Sequence, residues 1–428
     1  MIPPHTLLVF FVQAAALLLL ALLLGRLAVR LGLAAVVGEL CAGVILGPSV
    51  LGQVAPGAEQ WLFPSPSSHM LDAVGQLGVL LLIGLTGAHL DLRLIRRQGA
   101  TAVRVSAFGL VVPMALGIGA GLLLPAEFRG TGGSAVFALF LGVTMCVSSI
   151  PVIAKTLMDM NLLHRNVGQL TLTAGMIDDA FGWVLLSVVT AMATAGAGAG
   201  TVVLSIASLL GVIVFSVVIG RPAVRVALRT TEDQGVIAGQ VVVLVLAAAA
   251  GTHALGLEPI FGAFVAGLLV STAMPNPVRL APLRTVTLGV LAPLYFATMG
   301  LRVDLTALAR PEVLAVGLLV LALAIIGKFL GAFLGAWTSR LSRWEALALG
   351  AGMNARGVIQ MIVATVGLRL GVITDEIFTI IIVVAVITSL LAPPLLRLAM
   401  TRIEATAEEE ARLLAYGLRP GEAREDVR

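Results

Sequence analysis

The chain is divided into apolar runs of about membrane length, and that division constrains its fold more than any other feature. A helix needs about 20 consecutive apolar residues to cross a hydrocarbon core. Between charges and Gly/Pro breaks, such runs lie near 6–25, 34–50, 70–89, 99–124, 134–158, 167–194, 201–220, 234–254, 257–275, 281–300, 312–337, 345–367 and 376–398. Thirteen spans on short linkers predict an all-α, multi-pass bundle in one membrane. Composition agrees: of 428 residues, 59% are hydrophobic and 12% charged, against about 25% charged in an ordinary soluble domain. Mean hydropathy is +1.06. With 27 Lys and Arg and 23 Asp and Glu, the chain cannot coat a soluble surface of this size. That excludes a soluble enzyme, a nucleic-acid-binding protein and a disordered chain. Cys41 and Cys146 sit inside apolar runs and read as small core hydrophobes, outside any disulfide framework or metal cluster. Met1 to Thr6 carry no basic n-region, so the first run reads as a span and not a cleaved signal.

An odd number of spans puts the termini on opposite sides. Twenty basic residues, from Arg26 and Arg30 through Arg397 and Arg402 into the tail, fall on the tail's side. Only Arg129, Arg302, Arg310 and Arg369 fall on the other. Positive charge marks the cytoplasmic face, so the expected topology has the N-terminus outside and a charged cytoplasmic tail over 401–428. The pI of 9.7 follows from that face. Arg104 lies five residues into its span and can snorkel. Lys328 and Arg356 cannot.

The spans divide as six, one linker and six. Span 2 reads Gly38-Glu-Leu-Cys-Ala42-Gly43 and span 9 Gly262-Ala-Phe-Val-Ala266-Gly267. Span 3 ends Gly87-Ala-His-Leu-Asp91-Leu92 and span 10 ends Gly300-Leu-Arg-Val-Asp304-Leu305. An offset of seven inverts the second half, the plan of transporters whose site lies at mid-membrane. That plan expects broken helices at matching places. Span 5 carries Ser148-Ser149-Ile150-Pro151 and span 12 Gly352-Met-Asn354-Ala-Arg356-Gly357. Irregular backbone at that depth is tolerated where it lines a cavity.

Chemistry concentrates in Asp178-Asp179 of span 6. A mid-membrane carboxylate costs several kcal/mol. Both acids lie about eleven residues, or roughly 17 Å, from the cytoplasmic end. Lys328 in span 11 and Arg356 in span 12 share that depth. Adjacent acids on a helix point about 100° apart, so one can pair with Lys328 while the other faces a cavity. The free carboxylate can then swap a proton for a hard monovalent cation. Glu39, buried in span 2, reads as a gate, a proton-relay group or a helix-packing acid. The G-x-G-x-G string Gly196, Gly198, Gly200 follows no strand and reads as an outer loop.

These residues resemble the monovalent cation:proton antiporter-2 family. The resemblance is carried by Cys146-Val-Ser-Ser-Ile-Pro-Val-Ile-Ala-Lys155, Asp178-Asp179, Gly38-Glu39 through Gly47-Pro48-Ser49, Phe261 to Gly267, and Met353-Asn-Ala-Arg356-Gly357. It runs from about residue 20 to 398. It implies a homodimer, with a dimerisation domain over 1–98 and 234–310. A mobile core covers 99–200 and 311–400, and a linker helix covers 201–233. It further implies that Asp178 partners Lys328, that Asp179 is the cation ligand, and that Ser148 and Ser149 lend oxygens to the ion. Arg356 joins Lys328 in charge compensation, while Asn354, Gln360, Pro151 and Glu39 are accessory positions. Where family members often have Glu, this chain has Gln360. The tail is too short for a nucleotide-binding regulatory domain.

A membrane aspartyl protease needs two aspartates on different helices, whereas Asp178 and Asp179 are adjacent on one. A passive channel or an organic-ion exporter on the same scaffold stays open as the alternative. The expectation is a secondary antiporter, with no enzymatic activity and no cofactor, exchanging Na⁺ or K⁺ for H⁺ by alternating access in the cell membrane. Lys328, whose own protonation can change during the cycle, makes that exchange electrogenic.

Overall fold

The computed structural model describes residues 4–31, 33–88, 92–195, 199–229, 233–274 and 277–409. In chain order the main helices are α1 (Pro4–Arg30), α2 (Ala35–Leu46), α3 (Ser65–Ala88), α4 (Leu92–Leu123), α5 (Gly133–Cys146), α6 (Ile150–Asp159), α7 (Asn166–Ala195), α8 (Ala199–Phe215) and α9 (Arg221–Arg229). Then come α10 (Gln234–Ala254), α11 (Pro259–Ala273), α12 (Ala281–Val286), α13 (Ala292–Gly300), α14 (Pro311–Thr338), α15 (Arg343–Met353), α16 (Val358–Arg369) and α17 (Asp375–Met400). Single π turns, Ser216–Gly220 and Thr287–Leu291, join α8 to α9 and α12 to α13. Among the described residues the only β pairing is an isolated bridge between Arg129 and Ile373. His89 and Asp91 of one repeat echo, Gly196 and Gly198, and the tail from 410 onward lie outside the described residues.

Among the described residues, eleven helices are long and apolar enough to cross a membrane, and the bent pair α15–α16 makes a twelfth. The span expected over 257–275 is the exception. It is the 15-residue helix α11, about 22 Å long at 1.5 Å per residue and short of a roughly 30 Å core. Pro259 sets its start. Met274, which precedes Pro275, has left the helix with φ −134° and ψ 89°, since a residue before proline is pushed toward extended backbone.

Both expected breaks are present. Val147–Ser149 separates α5 from α6, and 354–357 separates α15 from α16 with a bend of 48°. Pro151 falls in the first turn of α6, where its missing N–H leaves no helical bond unmade. Ser342 opens α15 with a reciprocal capping box: its hydroxyl accepts from the Glu345 N–H at 3.2 Å, and the Glu345 carboxylate accepts from the Ser342 N–H at 2.8 Å. This satisfies two donors at the chain's return.

By packing, the chain forms two units, each drawn from both halves of the sequence. One comprises Met1–Leu31, Ala35–Asp91 and Trp183–Ala307; the other comprises Gly32–Ala34, Leu92–Gly182 and Leu308–Arg428. In the first unit the glycines of the repeat echoes are contact points. A Cβ on Gly300 would stand 2.9 Å from Gly43 Cα, and one on Gly267 would stand 2.9 Å from Gly87 Cα. Thus α2 meets α13 and α11 meets α3. Exchanging span 2 for 9 and span 3 for 10 turns one contact into the other.

In the second unit a stripe of glycines on α14 lets it lie directly against α4. A Cβ on Gly327 would come 2.9 Å from Pro113 Cα, one on Gly331 3.0 Å from Gly109 Cα, and one on Gly335 2.6 Å from Val105 Cα. Small residues at every fourth position permit such close helix approach. Lys328 rides on this helix beside Gly327. Gly331→Val is therefore expected to push α14 off α4, at a cost of about 1–3 kcal/mol for overpacking. Thermal unfolding in detergent would show it as a lower midpoint, and an unchanged midpoint would contradict the packing.

Candidate functional site

The two chain breaks of the second unit meet. The Ser149 N–H donates to the Ala355 carbonyl at 3.2 Å, and the Ser148 hydroxyl lies 3.0 Å from the Met353 carbonyl. Each break leaves peptide groups without helical partners, and these bonds make each the other's partner. α7 runs across them: a Cβ on Gly175 would touch Ile153 and Ile150 of α6, and one on Gly182 would strike Val147. The turn between those two glycines carries Asp178 and Asp179.

The two acids have opposite surroundings. Both are completely buried. Asp178 is saturated: Lys328 Nζ donates to its Oδ2 at 2.9 Å, the Ser148 hydroxyl reaches the same oxygen at 2.9 Å, and the Ser106 hydroxyl donates to Oδ1 at 2.7 Å. Lys328 Nζ also donates to Ser148 Oγ at 2.8 Å. One lysine, two serines and one carboxylate thus form a closed network, which a buried ion pair requires if the attraction is to offset desolvation. Neither oxygen of Asp179 has a hydrogen-bond partner. The Ile150 N–H at the start of α6 lies close but falls short of a hydrogen bond, and the positive end of that helix favours negative charge there. A buried charged group without partners costs several kcal/mol, which a proton or a bound cation removes. Other buried polar atoms at the breaks are also unpartnered: Ser149 Oγ and both amide atoms of Asn354. Hard oxygens of this kind suit an alkali cation as cargo.

Arg356 makes its hydrogen bonds to backbone carbonyls. It is fully buried but forms no ion pair among the described residues. Nη1 donates to the Thr144 carbonyl at 3.2 Å, and Nη2 donates to Met145 at 2.6 Å and to Ala324 at 3.1 Å. Thr144 and Met145 end α5, whose last carbonyls form the negative pole of the helix. The hydrogen bonds of Arg356 therefore go chiefly to the end of α5 and not to a carboxylate. Gln360, where family members often have Glu, is buried with Oε1 unpartnered. The Ser389 hydroxyl of α17 in turn donates to the Arg356 carbonyl.

Glu39 belongs to the other unit, where it lines a cavity of about 400 Å³ with Arg26 and Arg30 at the α1–α2 corner. Ser106 is the site residue that sequence reasoning missed. Its signal is faint: a hydroxyl amid Ala102, Val105, Gly109 and Pro113, on the α4 face that α14 covers.

The family model for the sodium/hydrogen exchanger, transmembrane, matches residues 16–401. The chain belongs to the sodium/hydrogen exchanger family. This exchanger is 31% identical over 401 residues to the Na(+)/H(+) antiporter NhaS4 of Synechocystis sp., covering 91% of this chain and 97% of that one. It is 28% identical to the Na(+)/H(+)-K(+) antiporter GerN of Bacillus cereus, covering 91% and 95% of the two chains. Against the cation/H(+) antiporter 20 of Arabidopsis thaliana it is 32% identical, over 84% of this chain but 44% of the longer plant protein. Among solved structures, the sodium proton antiporter MjNhaP1 of Methanocaldococcus jannaschii shares its fold at a TM-score of 0.71, with 18% identity over 92% of this chain and 99% of that one.

Proposed function

We propose that Asp179 is the residue at which this exchanger trades a monovalent cation, Na⁺ or K⁺, for protons, with Asp178 and Lys328 as the charge-balancing pair. As a member of its family the chain is a secondary antiporter working by alternating access. One observation carries the residue assignment: of two adjacent buried carboxylates, one is saturated by Lys328, Ser106 and Ser148, and the other has no partner. Ser149 and Asn354, buried and unpartnered at the breaks, supply further oxygens to the ion. Arg356 keeps the end of α5 in place beside Ser148.

The unit containing α4–α6 and α14–α17 is the moving core, and the unit containing α1–α3 and α10–α13 forms the homodimer. This extends the domain reading with 1–98 and 234–310 in the dimer and 99–200 and 311–400 in the core. The linker helix of that reading, 201–233, packs within the first unit. The excess of arginine on the tail side supports an outside N-terminus and a cytoplasmic C-terminus in the cell membrane.

The accessibility of the α5–α6 break tests this reading. In Ser149→Cys, the thiol is expected to react with a small reagent added from the cytoplasmic side, and saturating Na⁺ or K⁺ is expected to slow the reaction several-fold. A thiol inert from both sides, or one whose rate ignores both cations, would place the ion path elsewhere. Proton flux in proteoliposomes driven by Na⁺, K⁺ and Li⁺ in turn identifies the cargo, and cation flux without proton movement would identify a channel.

A further inference from the structure

Glu409 is almost fully buried, at 2% exposure, although it lies beyond the last membrane helix in a stretch rich in acids. One carboxylate oxygen accepts the Asn166 N–H at 2.5 Å, and the other accepts the Thr406 N–H at 2.8 Å and lies 3.2 Å from Arg165 Nε. The Thr406 hydroxyl returns a bond from the Glu409 N–H at 3.3 Å. Thr406-Ala-Glu-Glu409 is thus a capping box that starts the tail's own helical turn. The same glutamate also caps a second helix, because Asn166 is the first residue of α7. A carboxylate there meets the free N–H groups and positive pole of that helix.

Arg165 completes the attachment. Its Nη2 donates to the Ile403 carbonyl at 2.9 Å and the Glu404 carbonyl at 3.2 Å, so it grips the chain just after α17. Arg402 lies over the Trp344 ring, 5.6 Å from its centroid, which anchors the same segment to α15. Burial alone would push the Glu409 carboxyl up, but the Asn166 and Thr406 N–H groups and the Arg165 guanidinium outweigh it and hold it below the usual carboxylate range. The carboxylate is therefore charged at neutral pH.

We propose that Glu409 is a positioning residue for exchange: the first turn of the tail clamps the start of α7 and so sets where Asp178 and Asp179 stand against the chain breaks. Asp178 lies twelve residues along the helix from Asn166, about 18 Å of stiff α-helix. A tilt or slide at the clamped end is carried to the carboxylates, where ion binding depends on the alignment of several oxygens. With the clamp engaged, α7 is tied to the end of α17 and the cation site is formed. Releasing it loosens cation binding without removing any group that touches the ion. The inference rests on the assignment of Asp179 as the exchange residue.

The test uses the full-length protein in proteoliposomes, with whichever of Na⁺ and K⁺ drives the wild type. Glu409→Ala is expected to raise KM for that cation about fivefold, the size of a lost helix cap, while kcat stays within about twofold. Glu409→Gln keeps an oxygen for the Asn166 N–H but loses the charge, so its KM should fall between the two. Arg165→Ala combined with Glu409→Ala should raise KM by less than the product of the two single effects, since both act through one clamp. An unchanged KM in Glu409→Ala, or a lowered kcat and unfolding midpoint with KM unmoved, would overturn the clamp and leave Glu409 a structural residue. If Glu409→Ala does not fold, the Glu409→Gln KM decides in the same way. Asp179→Asn separates the two readings. If that variant still exchanges, the site assignment itself fails; if it is dead while the Glu409 variants keep wild-type KM, only the clamp fails.

Discussion

Asp179→Asn is expected to abolish cation-driven proton release completely while leaving a folded protein. The amide has nearly the shape of the carboxyl group, so packing is kept, but it cannot bind the exchanged proton or meet the charge of a cation. The variant should be at least as stable as the wild type, because it replaces a buried, unpartnered acid with a neutral group, and an uncompensated buried charge is expensive. Reconstituted vesicles loaded with Na⁺ or K⁺ and a pH-sensitive dye provide the measurement, with the unfolding midpoint read on the same preparation. Transport near the wild-type rate would sink the assignment. A dead variant with a collapsed midpoint would show that the residue holds the fold and not the cargo.

The second large effect is expected from Lys328→Ala, in stability and in charge per cycle together. Removing one side of a buried ion pair strands the other and costs roughly 3–5 kcal/mol. Asp178 would keep only the hydroxyls of Ser106 and Ser148. Pairing Lys328→Met with Asp178→Asn should restore most of that stability, since removing both charges together is often close to neutral. The charge count follows from the network. With a proton on Asp179, the Asp178–Lys328 pair is neutral and the site carries no net charge. The expected cation-bound state has the ion between both carboxylates in place of the lysine's proton, and the site then carries one negative charge. On this count two protons are expected to exchange for one cation, and each cycle to move one net charge, worth about 2.3 kcal/mol per 100 mV. An inside-negative potential should speed proton entry coupled to cation exit, and an inside-positive one should slow it. In Lys328→Ala, Asp178 has no counter-charge and keeps a proton throughout. One proton then exchanges for one cation, and the rate should ignore the potential. Wild-type exchange indifferent to the sign of a potassium-diffusion potential would make the count wrong, as would a Lys328→Ala variant that still follows it.

Arg356 shows that depth alone does not choose the partners of a buried charge. The sequence places a cation and a neutral amide near one depth, which suggests an arginine competing for the aspartates. In the folded chain the guanidinium instead takes three carbonyls, two of them at the end of α5. Asp178 is hydrogen-bonded by Lys328 and not by Arg356.

What the sequence alone determines here are properties of a short stretch of chain facing a uniform solvent. Run length against hydrocarbon thickness yields the helical, multi-pass architecture. Pro151, Asn354 and Gly357 mark where helices must break. The expense of burying charge identifies Asp178, Asp179, Lys328 and Arg356 as the groups at mid-membrane, since no other charges are carried so deep. The tertiary structure decides the partners. Asp178 meets Ser106 across 72 residues and Lys328 across 150. Arg356 reaches Thr144 across 212, and Glu409 reaches Asn166 across 243. Two neighbouring aspartates look alike in a sequence, and which one is saturated depends on which helix faces each side of α7. That in turn depends on how closely α14 can approach α4 over its glycines. Hydropathy and periodicity act over a few turns of one helix, whereas a hydrogen bond is settled over about 3 Å between helices that only the folded chain brings together.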